Sequence, residues 1–185
     1  MRKYILILGF ILLVGCSQEV SGDSDISKEI NGYLGMTPFL PDVDYPMGHV
    51  YIEYSPIFED GEPVKGEPRQ ATVEYKVSLD EKVNEEFRES WDEGNPLWEI
   101  IHGDLYEDDT AIIVNVEDSE GHVQGAEIIE IEGHEVQYQH IERETEAVFM
   151  HVNFEDISYG IHYLVAENDI EEEAKAFAKE IINNH

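Results

Sequence analysis

Through the middle of the chain, apolar and polar residues alternate with the period of two that is typical of half-buried β-strands. Residues 49–54 and 71–77 follow this pattern and are rich in β-branched and aromatic side chains. Residues 59–63 and 66–68 lie between them and contain Gly-Glu-Pro sequences, which favour turns. The pattern therefore predicts two strands joined by a long, turn-rich connection, with a further strand over 97–101.

The second half of the chain shows the strand pattern more clearly. Strands are predicted over 111–116, 126–131, 134–141, 147–154 and 160–166. Glu132 and Gly133 would form the turn of a hairpin between the second and third of these. In the last pair, a register with Val152 opposite Ile161 makes one face of the sheet wholly apolar. Such a face requires a covering layer.

The chain ends in a segment with the 3.6-residue period of an amphipathic helix. Asn168 or Asp169 can cap it, and the glutamates at 171–173 suit the positive end of the helix dipole. Its apolar stripe consists of Ile170, Ala174, Phe177, Ile181 and Ile182. Together these elements predict an α+β fold, an antiparallel sheet of about six or seven strands with the C-terminal helix packed on it.

Two earlier segments have helical features. Residues 27–33 predict a short helical turn. Ser78 and Glu81 have the spacing of a capping box, and the residues that would then share one helical face are Val83, Phe87 and Trp91. The stretch 78–91 remains ambiguous between helix and irregular chain.

The first fifteen residues have the composition of a secretory signal peptide. Arg2 and Lys3 precede an unbroken apolar run over 4–14 and then Gly15, in the order that such peptides show. The run is shorter than the roughly 20 residues that cross a bilayer. The sequence therefore predicts a signal peptide at 1–15, a lipidated cysteine and flexible tether at 16–26, and a single domain at 27–185.

Leu13-Val14-Gly15-Cys16 resembles the lipobox of bacterial lipoproteins. By that resemblance, cleavage makes Cys16 the first residue of the mature chain and diacylglycerol modifies its sulfur. Cys16 is the only cysteine, so no intramolecular disulfide can form, and two acyl chains suffice for stable anchoring. This predicts a lipoprotein on the outer, extracytoplasmic face of the cell membrane. An ordinary secreted protein with a cysteine near its cleavage site is the alternative.

Acidic residues outnumber basic residues 42 to 11, which gives a formal net charge of −31. Removal of Arg2 and Lys3 with the signal peptide would lower it to −33. Nucleic acid is excluded as a partner, because its binding depends on Lys and Arg at phosphates, and anionic lipids are repelled. Cations, basic peptides or a basic protein surface remain as partners. The alternative is that the acidity serves solubility in salty or alkaline surroundings.

The sequence offers no recognised catalytic motif. It contains no Gly-x-Ser-x-Gly elbow, His-Glu-x-x-His helix, phosphate-binding loop or Cys-x-x-Cys pair. Cys16 cannot act as a nucleophile once it is lipidated. We therefore expect a noncatalytic protein without a cofactor. An enzyme with an unrecognised carboxylate or histidine site is a third hypothesis, which such groups converging in a concave pocket would favour.

Histidine is the main candidate for metal binding. In the register proposed above, His151 and His162 face each other on the polar side of the last hairpin, with His140 near them. Two imidazoles on adjacent strands suit Zn²⁺ or Cu²⁺, or a response to pH. The alternative is that they are solvated side chains of the outer sheet face.

Two further sets of residues are candidates for binding. The acidic stretches 104–109 and 117–120 offer hard oxygen ligands without the spacing of a known calcium loop, which predicts weak Ca²⁺ binding. A set of five aromatic residues either lines a groove for an apolar ligand or fills the core, and core packing is favoured. These are Tyr45, Tyr51, Tyr54, Phe58 and Tyr75.

Short motifs between residues 34 and 183 occur in a recognisable order. They are Thr37-Pro38-Phe39-Leu40-Pro41, Ile131-x-Gly133-x-x-Val136, Val152-Asn153-Phe154, Gly160-Ile161-His162-Tyr163 and Ala178-x-x-Ile181-Ile182. This order resembles an uncharacterised domain family of lipoproteins from Gram-positive, Bacillus-like bacteria. The same domain forms the extracellular part of some membrane-anchored sigma-factor regulators and sporulation proteins. The resemblance implies a curved sheet covered by helix, similar to the half-barrel of lipoprotein carriers, and it implies no catalytic residues.

The leading hypothesis is therefore a noncatalytic binding or sensing module at the cell surface. A groove between the sheet and the helix would hold a peptide, a lipid or the extracellular segment of a protein partner. The alternative is a cation- or metal-responsive surface protein that uses the acidic loops or His151 and His162.

Overall fold

The computed structural model describes residues 24–185, which form three helices and eight strands. The helices are α1 (Ser24–Leu34), α2 (Glu85–Gly94) and α3 (Ile170–Asn184). The strands are β1 (Met47–Glu59), β2 (Glu62–Lys76), β3 (Trp98–Gly103), β4 (Thr110–Glu117), β5 (Glu127–Ile131), β6 (His134–Glu142), β7 (Glu146–Asn153) and β8 (Ser158–Tyr163). The predicted α+β class is confirmed, with eight strands in place of six or seven. No helix in this part of the chain is long and apolar enough to cross a bilayer.

The predicted signal peptide at 1–15 lies outside the described residues. Of the predicted tether at 16–26, only the end from Ser24 onward is described. There α1 has already begun, and Ile26 is buried in the core. Helical structure therefore starts before the predicted domain boundary at residue 27.

All eight strands belong to one antiparallel sheet with the order β3-β1-β2-β4-β8-β7-β6-β5. β3 returns to the free edge of β1, and β8 pairs with both β4 and β7. Successive side chains of a strand point to opposite faces. The sheet therefore has an inner face, covered by α1 and α3, and an outer face that carries α2.

The inner face and α3 together form the core. The stripe predicted for α3 is buried at Ile170, Ala174, Phe177 and Ile181, with Ile182 partly buried beside it. Asp169 caps the helix, because its carboxylate accepts the backbone N–H groups of Glu171 and Glu172 at 3.1 Å. Complete burial of one large apolar side chain contributes about 1.5–3 kcal/mol, so this stripe is enough to hold the helix on the sheet.

β1 and β2 form one continuous hairpin, so the predicted long connection between residues 59 and 68 is wrong. Asp60 and Gly61 make a two-residue turn with φ angles of 52° and 91°. Asp-Gly suits this turn because both positions need positive φ. The Gly-Glu-Pro segments lie within the strand β2 and do not form loops.

The hairpin extends well past its neighbours. β3 pairs only with residues 49–53, and β4 pairs only with residues 70–76. Residues 54–68 therefore project as a two-stranded arm, which we call the β1–β2 ribbon. Phe58, near its tip, is 72% exposed.

β7 and β8 pair as predicted, but two residues out of the predicted register. Val152 lies opposite Tyr159, while Ile161 lies opposite Met150. The connection is shorter than expected, since Asn153 already faces Ser158. Because the shift is even, every side chain stays on its predicted face, and the apolar face is buried as expected.

α2 begins later than the capping-box spacing indicated. Its N-cap is Asn84, whose side chain accepts the backbone N–H of Phe87 at 2.9 Å. The Ser78 hydroxyl donates instead to the carboxylate of Asp108, which also accepts the N–H of Glu81 at 2.9 Å. α2 contains no fully buried residue, so it covers the outer face only loosely.

Candidate functional site

A pocket of about 200 Å³ lies between α2 and the outer face of the sheet. His49, Glu74 and Lys76 form its polar floor, and Tyr51, Trp91 and Trp98 form an aromatic wall. We call this the α2 pocket. It brings together residues from β1, β2, α2 and β3 that lie far apart in the sequence.

The strand alternation explains how the floor arises. In β1, Val50 and Ile52 point into the core, so His49 and Tyr51 must point to the outer face. Glu74 lies directly opposite His49 in the β1–β2 register. The same pattern that builds the core therefore places ionisable groups side by side under α2.

Glu74 and Lys76 form a largely buried ion pair. Lys76 Nζ lies 3.3 Å from Glu74 Oε2 and donates to the Thr110 hydroxyl at 2.9 Å. Thr110 in turn donates to the Glu74 carboxylate at 3.3 Å. The lysine stem packs on Gly48, where a Cβ would come within 2.7 Å of Lys76 Cγ. The two charges compensate each other, so the pair is polar without a net charge.

His49 is the group on the floor that lacks a hydrogen-bond partner. Its side chain is only 4% exposed, and Nε2 lies 3.9 Å from Glu74 Oε1, which is too far for a hydrogen bond. Within residues 24–185, Nδ1 has no partner. Burial lowers the pKa of His49 despite the opposing effect of Glu74, so the ring is neutral at neutral pH. A buried polar atom left unsatisfied costs about 1–3 kcal/mol, and native structures rarely retain one without a purpose.

The aromatic wall is a compact cluster. Tyr51 stacks on Trp98 with ring centroids 4.8 Å apart, and Trp91 lies 5.7 Å from Trp98. The edge of Trp91 also approaches His49, with centroids 6.4 Å apart. Trp91 and Trp98 are the only tryptophans of the chain, so its tryptophan fluorescence reports on this pocket alone.

A short pairing of loops ties down the rim. The Val83 N–H donates to the Leu105 carbonyl at 3.1 Å, and the Glu107 N–H donates to the Glu81 carbonyl at 2.8 Å. These bonds connect the segment before α2 to the β3–β4 connection. The entrance is thus framed by ordered backbone, although Phe87 at the rim is 51% exposed.

The convergence of His49 and Glu74 in a pocket is the arrangement that the enzyme hypothesis required. None of the residues that line the pocket is Ser, Thr or Cys, and its hydroxyl groups are those of Tyr51 and Tyr106. Among residues 24–185, Nδ1 of the imidazole has no hydrogen-bond partner, and Lys76 compensates the Glu74 carboxylate. The arrangement can hold and orient a ligand through its polar floor and its aromatic wall.

Sequence reasoning did not single out Glu74, Lys76 or Trp98. A signal for the first two exists in the strand 71–77, where polar residues alternate with core residues. A lysine near the end of such a strand, in a chain with few basic residues, indicates a specific partner. The position of Trp98 beside Trp91 depends on the β1–β3 pairing, which has no local signal.

The structure does not place His151 and His162 face to face, so that expectation is wrong. His151 lies opposite Gly160, and His162 lies opposite Phe149, which makes the two histidines diagonal neighbours. Neither is a solvated side chain, since His151 is buried and His162 is half-buried, and this burial lowers the pKa of both rings. The facing pair on which the metal prediction depended is not formed.

His140 lies apart from the other two histidines and contacts glutamates. One ligand atom from each of His140, Glu142 and Glu146 lies within 4.8 Å of the others. The Nε2 atom of His140 is 2.8 Å from Glu146, and Nδ1 is 3.2 Å from Glu171. The spacing suits a metal ion, but the protein's own carboxylates already pair with both ring nitrogens.

The predicted calcium loops use several carboxylates internally. Asp104 pairs with Lys82 at 2.6 Å, and the bonds from Ser78 and Glu81 hold the pKa of Asp108 below its usual value. These carboxylates are satisfied by protein donors, which weakens the case for a dedicated calcium site.

The five aromatic residues predicted as groove or core take different positions. Tyr75 is in the core, whereas Tyr51 lines the α2 pocket and Phe58 is exposed. Tyr54 is half-buried, and Tyr45 lines a second cavity of about 360 Å³ beside α3. Tyr45 and Tyr54 are partly buried and pack against the core, so core packing is confirmed for Tyr45, Tyr54 and Tyr75.

No family model, curated protein or solved structure matches this chain. The resemblance to a family of Gram-positive lipoproteins therefore stays a prediction. Cys16, the predicted lipidation site, lies outside the described residues.

Proposed function

We propose that the protein is a noncatalytic binding module on the cell surface and that the α2 pocket holds its ligand. The observation that carries the proposal is that Nδ1 of His49, in the floor of a pocket with an aromatic wall, is buried and has no partner among residues 24–185. A ligand seated there would satisfy this nitrogen and cover the faces of Trp91 and Trp98. Aromatic walls with a few convergent polar groups are typical of small-molecule sites.

The cellular location is proposed from the sequence. A lipid anchor at Cys16 would hold the chain on the outer face of the membrane and expose the α2 pocket to extracellular ligands. Mass spectrometry of the native protein tests this, with diacylglycerol on Cys16 and loss of residues 1–15 as the expected result. Retention of Met1 or an unmodified thiol would refute the anchor.

The two tryptophans provide the direct test of the pocket. We expect some members of a diverse fragment library to change the tryptophan emission saturably and to raise the melting temperature, because a ligand of the folded state stabilises it. Trp98→Ala should weaken the response. Phe58→Ala, which removes an exposed aromatic ring on the β1–β2 ribbon, is the matched control and should leave it intact. A library that leaves the emission unchanged would refute the proposal.

A metal-responsive surface protein is the second candidate, favoured by the spacing of His140, Glu142 and Glu146. Calorimetry with Zn²⁺, Cu²⁺ and Ca²⁺ tests it. We expect His140→Gln to remove any binding at this cluster, whereas His102→Gln, at a half-exposed histidine beside Glu29, should have no effect. Binding no tighter than about millimolar, which is the range of the weakest calcium modules, would eliminate this candidate.

A further inference from the structure

The ring distances of the α2 pocket exclude a cation held between aromatic faces. Tyr51, Trp91 and Trp98 lie between 4.8 and 6.1 Å apart, centroid to centroid, which is the range of rings in direct contact. No space remains between them for an ammonium group. A ligand must therefore lie against one side of the cluster, and a flat apolar face suits that surface.

The floor requires a ligand that both donates and accepts hydrogen bonds. The carboxylate of Glu74 beside Nε2 favours the tautomer of His49 with the proton on Nε2, which leaves Nδ1 as an acceptor. Lys76 has three N–H donors and contacts two acceptors, Thr110 and Glu74, in the described part of the chain. A purely apolar ligand would leave these groups unsatisfied, whereas hydroxyl groups can serve both.

The charges around the pocket favour an uncharged ligand. An anion would meet Glu107, which lines the pocket, and a chain with a net charge of −31. The Glu74 carboxylate is already paired with Lys76, so the floor offers a cation no unpaired carboxylate, and Arg88 lies near enough to His49 to lower its pKa. An uncharged molecule needs no counter-charge from the floor.

The size of the cavity limits the ligand to one ring. A volume of about 200 Å³ corresponds to roughly seven waters of ~30 Å³ each, which accommodates a six-membered ring with its hydroxyl groups. We infer that the α2 pocket binds an uncharged pyranose sugar. Its C–H face would lie on the wall formed by Trp91 and Trp98, and its hydroxyls would bond to His49, Glu74 and Lys76. This inference rests on the proposed function and names the ligand class of the same pocket.

Fluorescence titration of the full chain with three sets of probes tests the inference. The first set consists of methyl glycosides of neutral hexoses and N-acetylhexosamines, the second of phenethylamine, and the third of phenol and indane as uncharged non-sugars. We expect saturable responses to at least one glycoside. Because the ligand is uncharged, its affinity should be the same at about 50 mM and about 500 mM NaCl, whereas the affinity of a cation would fall as salt screens the acidic surface.

Two variants locate the bound sugar. Trp98→Ala should weaken binding about tenfold, the factor that corresponds to about 1.4 kcal/mol of lost stacking. His49→Phe keeps a ring but removes Nδ1, so it should weaken binding and also raise the melting temperature, because an unsatisfied buried nitrogen is removed. If Trp98→Ala fails to fold, Trp91→Ala replaces it, since α2 buries no residue of its own.

The outcomes separate the sugar inference from the proposed function. Saturation by a glycoside that is weakened in the tryptophan variants supports both. Saturation by phenethylamine, phenol or indane without any response to glycosides overturns the sugar inference and leaves a small-molecule pocket. No response to any probe or to the fragment library overturns both.

Discussion

Gly121 lies in the β4–β5 connection, which folds back onto the outer face of the sheet and rests on His151. A Cβ added at Gly121 would come within 1.7 Å of His151 Cε1 and 2.0 Å of Nε2, so Gly121→Ala cannot be accommodated without movement. His151 is 6% exposed, so either its ring or the connection must shift to relieve the contact. The connection is also bonded to the sheet, because Gly121 N–H donates to Asn153 Oδ1 at 3.1 Å and Gln137 Nε2 donates to the Gly121 carbonyl at 3.0 Å.

The cost of Gly121→Ala follows from these contacts. Overpacking of a filled site costs about 1–3 kcal/mol, and each hydrogen bond lost as the connection lifts adds about 0.5–1.5 kcal/mol. We expect a loss of about 2–4 kcal/mol in the free energy of unfolding. For a domain of this size, each kcal/mol lowers the melting temperature by about 2–4 °C.

Urea unfolding and thermal melting measure the effect, with Gly32→Ala as the control. Gly32 lies in α1, where no atom comes within 4 Å of the position that a Cβ would take, and alanine there should stabilise the helix by up to about 1 kcal/mol. In the double variant Gly121→Ala/His151→Ala, the shortened side chain removes the clash, so the two losses should not add. Unchanged stability of Gly121→Ala would refute the packing of this connection on His151.

Three further outcomes are expected. Lys76→Met should cost about 3–5 kcal/mol in urea unfolding because it leaves the buried Glu74 carboxylate unpaired, and Glu74→Gln/Lys76→Met should recover most of that loss; equal losses in both variants would contradict the ion pair. Stability should fall below pH 6.5, the ordinary histidine pKa, because the lowered pKa values of His49, His151 and His162 mean that the unfolded chain binds more protons there. A flat profile between pH 7.5 and about 5.5 would contradict this. The melting temperature should rise with NaCl because salt screens the self-repulsion of a chain with net charge −31, and indifference to salt would count against that account.

The fold could be predicted from local patterns to a large extent. A period of two along the sequence is enough to predict β4 and the β5–β6 hairpin. A period of 3.6 is enough to predict the buried stripe of α3. The β1–β2 connection was mispredicted because Pro63 and Pro68 indicate loops when they are considered alone. They are tolerated in β2 because β4 pairs only with residues 70–76. At Pro63 and Pro68 the outer edge of β2 therefore needs no N–H for a neighbouring strand.

The candidate site was much harder to predict. His49 and Lys76 meet because two strands pair in one register, and a register depends on the whole sheet. The β7–β8 pair shows the same limit, since the period of two predicts which face His151 occupies but not which residue lies opposite. Faces are local properties of a strand, whereas partners are properties of the assembled sheet.

The β1–β2 ribbon contains three prolines, Pro56, Pro63 and Pro68, which have no backbone N–H to donate. A strand from another molecule would lack N–H donors at these positions, which disfavours its pairing with the edges of the ribbon. The β1–β2 ribbon can therefore project from the sheet with an exposed aromatic residue near its tip, and we expect it to resist edge-to-edge aggregation at high protein concentration.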